Sequence, residues 1–171
     1  SGAVNTRLNG GLTLANANKL TYYTDIRNVN FFLNNLNFKD TNAAAYKQCV
    51  GEAYYFRAWF YFNLFKNYGN IAWLDHTLAP DENEMNLPQE GRIAMVDHIL
   101  SDLDKAIDLL SLQNSAATMR VHKDVARAFK SEVALYEATW EKYHQAKNDA
   151  FYDKTVTAAK IKDYLEQCVA A

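Results

Sequence analysis

Between Tyr54 and Tyr68, nine of fifteen residues are aromatic: Tyr54, Tyr55, Phe56, Trp59, Phe60, Tyr61, Phe62, Phe65 and Tyr68. Wound on a helix, these side chains point in every direction around the axis. A helix that is apolar on most sides must be enclosed by others, so this segment predicts the central helix of an all-α domain. Ala43-Ala44-Ala45 supplies strong helix formers at its start, and Tyr68-Gly69-Asn70 supplies the stop, with Gly69 suited to a left-handed cap. The helix is therefore placed at about 42–67. Gly51 inside it costs helix propensity, which predicts a close approach of a second helix. Trp59 to Phe62 is bracketed by Arg57 and Lys66, and no run of about 18 apolar residues occurs anywhere, so nothing here reads as a membrane-spanning helix.

The rest of the chain repeats the helical logic. Tyr22, Tyr23, Ile26, Val29, Asn30 and Leu33 recur at spacings near three and four, placing a first helix at about 20–36. Ile93, Val96, Leu100, Leu103, Ile107 and Leu110 do the same at about 92–111, with Asp97, Asp102, Asp104, Lys105 and Asp108 assigned to the opposite, solvated face. Val125, Phe129, Val133, Tyr136, Trp140 and Tyr143 form a stripe at about 122–147. The basic first turns of that helix (Lys123, Arg127, Lys130) sit at the wrong end of the helix dipole and require tertiary partners. Asp149 to about Lys160 reads as a loop, and a fifth helix starts near Ile161, with Ile161, Leu165, Cys168 and Val169 on one side. Residues 1–19 are irregular, with an Asn9-Gly10-Gly11 turn. A polar link passes through Gln113-Asn114-Ser115. Residues 69–91 form the longest connection, holding both prolines (Pro80, Pro88) and the acidic stretch Asp81 to Glu84. Consecutive helices of this length pack antiparallel. The pattern is that of tetratricopeptide-like helix pairs in a single domain over 1–171, a partial domain of a larger protein, cut at both ends.

Charge and motifs exclude several classes. A net charge of -2 argues against nucleic acid. Cys49 and Cys168 are the only cysteines, have no metal-ligand spacing, and read as small buried hydrophobes. His76, His122 and His144 are scattered. No nucleophile elbow, zinc-protease motif or phosphate loop is present, so no cofactor and no catalytic residue is assigned. Asp97, Asp104 and Asp108 read as a solvated face rather than a metal or acid-pair site, and His98 as a surface contact to Asp102. Glu52 and Arg57 interrupt the most apolar helix. Buried charges must be paired, so they predict a structural network with tyrosine hydroxyls and backbone. Phe56, Trp59 and Phe60 are assigned to the core. Trp73 is the one ligand-binding candidate. It stands in a loop, where an aromatic face can stack on a sugar ring, although packing onto the helices is the favoured alternative.

The run Gly51-Glu52-Ala53-Tyr54-Tyr55-Phe56-Arg57-Ala58-Trp59-Phe60-Tyr61-Phe62, continued by Leu64-Phe65 and Tyr68-Gly69, resembles the central signature of the SusD/RagB family. Ile26-Arg27-Asn28 with Asn30, Asp102-Leu103-Asp104-Lys105-Ala106, and Lys123 through Ala126 and Ala128 to Leu135-Tyr136 are similar to three further family segments, in order. The resemblance extends from about Tyr22 onward. Two departures stand out. Ile71-Ala72-Trp73-Leu74 replaces the family's Val-Pro-Leu, and Glu132 stands where an Arg is common. The resemblance implies a lipid-anchored outer-membrane protein at the cell surface. Such a protein binds oligosaccharide, or in some members peptide, and hands it to a TonB-dependent, SusC-like transporter without covalent chemistry. It also implies that the helix pairs are scaffold and part of the transporter contact, with ligand contacts mostly from segments before and after them. Two other readings of the residues are a helical scaffold that binds a protein partner in its groove and, less well supported, a helical glycosidase with two carboxylates at fixed separation.

Overall fold

The structure is a computed structural model and describes residues 22–37, 40–79, 87–113 and 119–171. The Asn9-Gly10-Gly11 turn, Pro80, Asp81 to Glu84 and Asn114-Ser115 lie outside the described residues. Five helices follow in order: α1 (Tyr22–Asn34), α2 (Ala44–Tyr68), α3 (Arg92–Leu109), α4 (Lys123–Lys147) and α5 (Ala158–Ala170). The described residues contain no strand, as the all-α reading requires.

Each helix packs on the next in the chain, and the contacts run in opposite order along each pair. On α2 and α3, Gly51 faces Leu110, Arg57 faces Asp102 and Phe65 faces Arg92. On α3 and α4, Asp104 meets Lys130 while Arg92 meets Glu137. At the α4–α5 pair, Ser131 lies against Cys168 while Gln145, near the other end of α4, bonds Val156 O just ahead of α5. The helices are therefore antiparallel pairs. The close approach expected at Gly51 is present: a Cβ there would lie 2.9 Å from Leu110 Cγ and 3.2 Å from Leu109 Cβ. The main core joins Ile26, Tyr61, Phe62 and Phe65 to Met95, Val96, Ile99, Leu103, Val133 and Tyr164. Burying one large apolar side chain of this kind contributes roughly 1.5–3 kcal/mol, so this cluster supplies most of the drive to fold.

Several expectations are corrected. Phe56 and Trp59 are 42% and 37% exposed and lie on an outer edge of α2, where Tyr22 packs edge-on to Trp59 at 5.8 Å. The described helices enclose α2 only in part. Asp102 is not solvated; it is 1% exposed and paired with Arg57, so His98 has no contact to it and packs on Trp73 instead. Helix α5 begins at Ala158, earlier than expected, because the Thr157 hydroxyl caps it by accepting Lys160 N–H at 3.1 Å. Val169 on α5 is 87% exposed, while Tyr164 is fully buried. Cys49 and Cys168 are half-buried. Gly69 does take positive φ (71°), and its N–H closes α2 on Phe65 O, but its ψ of −114° lies outside the left-handed helical region. Of the basic residues at the start of α4, Lys130 finds a tertiary partner in Asp104 at 2.6 Å, whereas Arg127 bonds Asp124 of the same helix at 3.3 Å.

Candidate functional site

After Gly69 the chain runs as an extended strap with no strand beside it. Backbone carbonyls in such a segment must find donors or stay in water. Here Glu90 N–H bonds Ile71 O at 3.0 Å, and side chains of α1 and α2 supply further donors. Tyr23 Oη donates to Ala72 O at 2.9 Å. Asn30 Nδ2 donates to Leu74 O and His76 O at 2.9 and 3.1 Å. Tyr61 Oη donates to Leu74 O and accepts from Leu74 N–H, at 3.0 and 2.6 Å. Arg57 Nη1 donates to Asp75 O at 3.1 Å and to Asn30 Oδ1 at 2.9 Å. The other edge of the same guanidinium grips Asp102 bidentately, at 2.6 and 2.8 Å. Burial opposes the Arg57 charge, but the Asp102 carboxylate outweighs it and holds the guanidinium more firmly protonated than usual. Burial also raises the Tyr61 and Tyr23 hydroxyls, which keeps them as donors. Arg57 thus enters a structural network with a backbone partner, as expected, but no tyrosine hydroxyl bonds it and its main partner is Asp102.

An extended chain sends alternate side chains to opposite sides. Ile71 and Ala72, then alternate residues Leu74, His76 and Leu78, line a cavity of about 920 Å³, bounded also by α1, the C-terminal end of α2, Arg92, Trp140 and Phe151. Trp73 is not among its lining residues. The Trp73 ring packs on Tyr61 at 4.2 Å and stacks on His98 at 4.6 Å with an interplanar angle of 8°. His98 Nε2 in turn lies 3.0 Å from Glu90 Oε2. The cavity walls combine aromatic rings (Tyr23, Phe65, Trp140, Phe151) with the amides of Asn70 and Gln89. Rings of this kind offer faces to sugar C–H groups, and amides offer paired donors and acceptors to hydroxyls.

At the cavity floor Arg92 is held between the rings of Phe65 and Trp140, 4.2 and 4.4 Å from their centroids. It donates to both oxygens of Glu137, at 3.1 and 2.6 Å. Glu141 lies one turn on and accepts Asp153 N–H at 3.1 and 3.0 Å. Asp153 Oδ2 accepts Ile93 N–H at 3.3 Å, capping α3 from a distance, because the residue in the cap position, Gly91, has no side chain. A Cβ at Gly91 would sit 2.8 Å from that oxygen. Burial disfavours the Asp153 charge, but hydrogen bonds from Thr155 and Ile93 overcome it and hold the carboxyl below its ordinary range.

At the far end of α2, Glu52 forms a third network. Arg120 grips it at 2.6 and 2.5 Å, Gln48 Nε2 bonds it at 2.9 Å, and Val121 N–H reaches it at 3.2 Å. This network ties the α3–α4 connection to α2. On α3, Asp97 and Asp104 pair with Lys160 and Lys130, at 2.8 and 2.6 Å, and Asp108 is exposed. No cluster suited to a metal occurs among the described residues. The sequence reading missed Asp102, Glu137 and Glu141. A signal for the glutamates was available: they stand four and eight residues after Val133, on the face its stripe defines.

Antiparallel helix pairs, a strap pinned through its main chain, and an aromatic-walled cavity beside it make up a helical scaffold with a cleft in its surface. The chain belongs to the SusD-like family, whose description is starch-binding, associating with outer membrane, and which matches residues 10–135. A SusD-like protein of Bacteroides fragilis shares 31% identity over 73% of this chain and 24% of its own length, with a TM-score of 0.63. A laminarin-binding SusD-like protein matches at 23% identity over 74% of this chain and 28% of its own, with a TM-score of 0.61. A SusD-like carbohydrate-binding protein of Bacteroides fragilis matches at 21% identity over 81% and 28%, with a TM-score of 0.66. The chain spans about a quarter of the length of these solved structures. No curated protein sequence matches it. Among the described residues no helix is long and apolar enough to cross a membrane.

Proposed function

We propose that this chain is the helix-pair part of a cell-surface glycan-binding protein, lipid-anchored to the outer membrane, that delivers oligosaccharide to a TonB-dependent, SusC-like transporter without covalent chemistry. The observation that carries the reading is the family match over residues 10–135. The cavity beside the strap supports it: about 920 Å³ is ample for a few sugar units, and its walls combine rings with amides. In this reading the cavity side of the strap meets the glycan, and Trp73 backs the strap from behind. The exposed Phe56 and Trp59 support a protein contact on α2, for which the transporter is the assigned partner.

Affinity electrophoresis through gels containing a panel of polysaccharides tests this, using the chain and, where the gene extends beyond it, the full product. The expected result is retardation on at least one glycan, lost in Phe151→Ala. Loss in Trp73→Ala with Phe151→Ala unaffected moves the ligand to the outer side of the strap. Absence of retardation for every protein on every glycan defeats the carbohydrate reading and favours a peptide or protein ligand.

A further inference from the structure

The buried carboxyl groups of α4 take no part in the strap or in glycan contact as proposed. Glu137 and Glu141 both have 0% exposure, stand one helical turn apart and face the same guanidinium, that of Arg92, which bonds both oxygens of Glu137 and lies 3.5 Å from Glu141 Oε1. Two ionised carboxylates beside one buried cation would leave an uncompensated charge in a dry site, which a single proton removes.

The surroundings do not supply the charge to do without it. From α3 comes one guanidinium, Arg92, already bonded to both oxygens of Glu137 and 3.5 Å from Glu141 Oε1. The loop between α4 and α5 brings a further negative group, Asp153, engaged by Ile93 and Thr155. Helix α5 brings Tyr164, whose hydroxyl donates to Asp97 at 2.8 Å, and Lys160, whose ammonium is spent on the same Asp97 at 2.8 Å. Helix α2 contributes the Phe65 ring against Arg92. One buried cation thus faces two buried carboxyls and a neighbouring carboxylate. Burial, the largest cause, raises both carboxyls above the ordinary range, Glu137 to about 8, and the two titrate as one unit.

We propose that Glu137 and Glu141 share a single proton at neutral pH, and that this proton latches the loop at 148–157 against α3 and the cavity wall. The mechanical link is short. Glu141 holds Asp153 by its N–H, Asp153 caps α3, and two residues earlier Phe151 lines the cavity while its carbonyl accepts Trp140 Nε1–H at 2.8 Å. When the proton leaves, two like charges face one guanidinium in a dry site. Glu141 is the one that yields, because Glu137 is held at both oxygens by Arg92. Its departure frees Asp153 N–H and, with it, the segment that carries Phe151. The latch operates whatever the cavity binds.

The test is a titration of the 171-residue chain carrying 13C-labelled glutamate, read by NMR at the carboxyl carbons. One glutamate is expected to titrate above pH 7, and this behaviour should vanish in Glu141→Gln. That change keeps an oxygen for Asp153 N–H and offers Glu137 a neutral donor. Hydrogen-exchange protection of the Asp153 amide is expected to fall at least tenfold across the same titration in the wild-type chain, and to stay level in Glu141→Gln. If every glutamate titrates below pH 6, the shared proton is refuted by the wild-type chain alone, whatever the variant does. If one titrates high but Asp153 protection does not follow, the latch is refuted.

Discussion

Replacing Arg57 by Met tests the central network most sharply. Arg57 is 3% exposed and Asp102 1% exposed, so the substitution strands a carboxylate in a dry interior. Breaking a buried ion pair from one side costs about 3–5 kcal/mol. Lys105 Nζ lies 3.5 Å from Asp102 and its side chain is 50% exposed, so it can recover a small part of this. Asn30 Oδ1 and Asp75 O also lose their donor, worth about 1 kcal/mol each in net terms. The expected loss for Arg57→Met is therefore about 4–6 kcal/mol, out of the roughly 5–15 kcal/mol a domain of this size holds. Adding Asp102→Leu removes the stranded charge and leaves only the strap acceptors unsatisfied, for an expected loss of about 1–3 kcal/mol. The double variant should be more stable than Arg57→Met, a coupling that urea unfolding of the four proteins of the cycle measures directly. A loss below about 1 kcal/mol for Arg57→Met, or a double variant as unstable as the sum of the singles, would refute the assignment of Arg57 as the charge that makes Asp102 tolerable.

Two further outcomes follow from local geometry. Gly51→Ala gains about 1 kcal/mol of helix propensity but drives a methyl to 2.9 Å from the buried Leu110. With overpacking costing about 1–3 kcal/mol, the melting temperature should fall by a few degrees, and a rise would show that α3 is free to move away. Stability should also depend on pH through Glu137, whose pKa rises from 4.5 to about 8 on folding. The folded state then keeps a proton that the unfolded chain releases, so this contribution is full below about 4.5 and lost as pH rises to about 8, at up to about 1.4 kcal/mol per pH unit. Asp153 and Glu52 are shifted the other way, and their contribution is lost as pH falls through the acid range. Thermal melts from pH 5 to 9 should decline in the wild-type chain and lie flatter in Glu141→Gln; equal slopes would contradict the assignment.

The five helices were legible because their apolar spacing is a local property. The α3 stripe from Ile93 to Leu110 could be read without knowing what it packs on. Asp102 was misplaced for the same reason. Periodicity assigns a carboxylate to water, and only a guanidinium 45 residues away makes burial tolerable. Glu137 and Glu141 escaped notice because a glutamate in a helix is ordinarily a surface residue. Phe56 and Trp59 show the converse error. Aromatic density predicts enclosure on every side, whereas the described helices cover α2 incompletely. The strap could be read as a loop but not as a cavity wall, since its donors, Tyr23, Asn30, Arg57 and Tyr61, are spread over two helices and bind backbone rather than a motif.

Because those four side chains hold carbonyl oxygens, they are indifferent to which residues carry them. The wall formed by Ala72, Leu74, His76 and Leu78 can therefore change its chemistry while its path through space stays the same. Path and wall chemistry are written on the same segment in separate alphabets, main chain for one and side chains for the other. Such an arrangement lets the lining of the cavity vary through substitutions that leave the helices' grip on the strap in place.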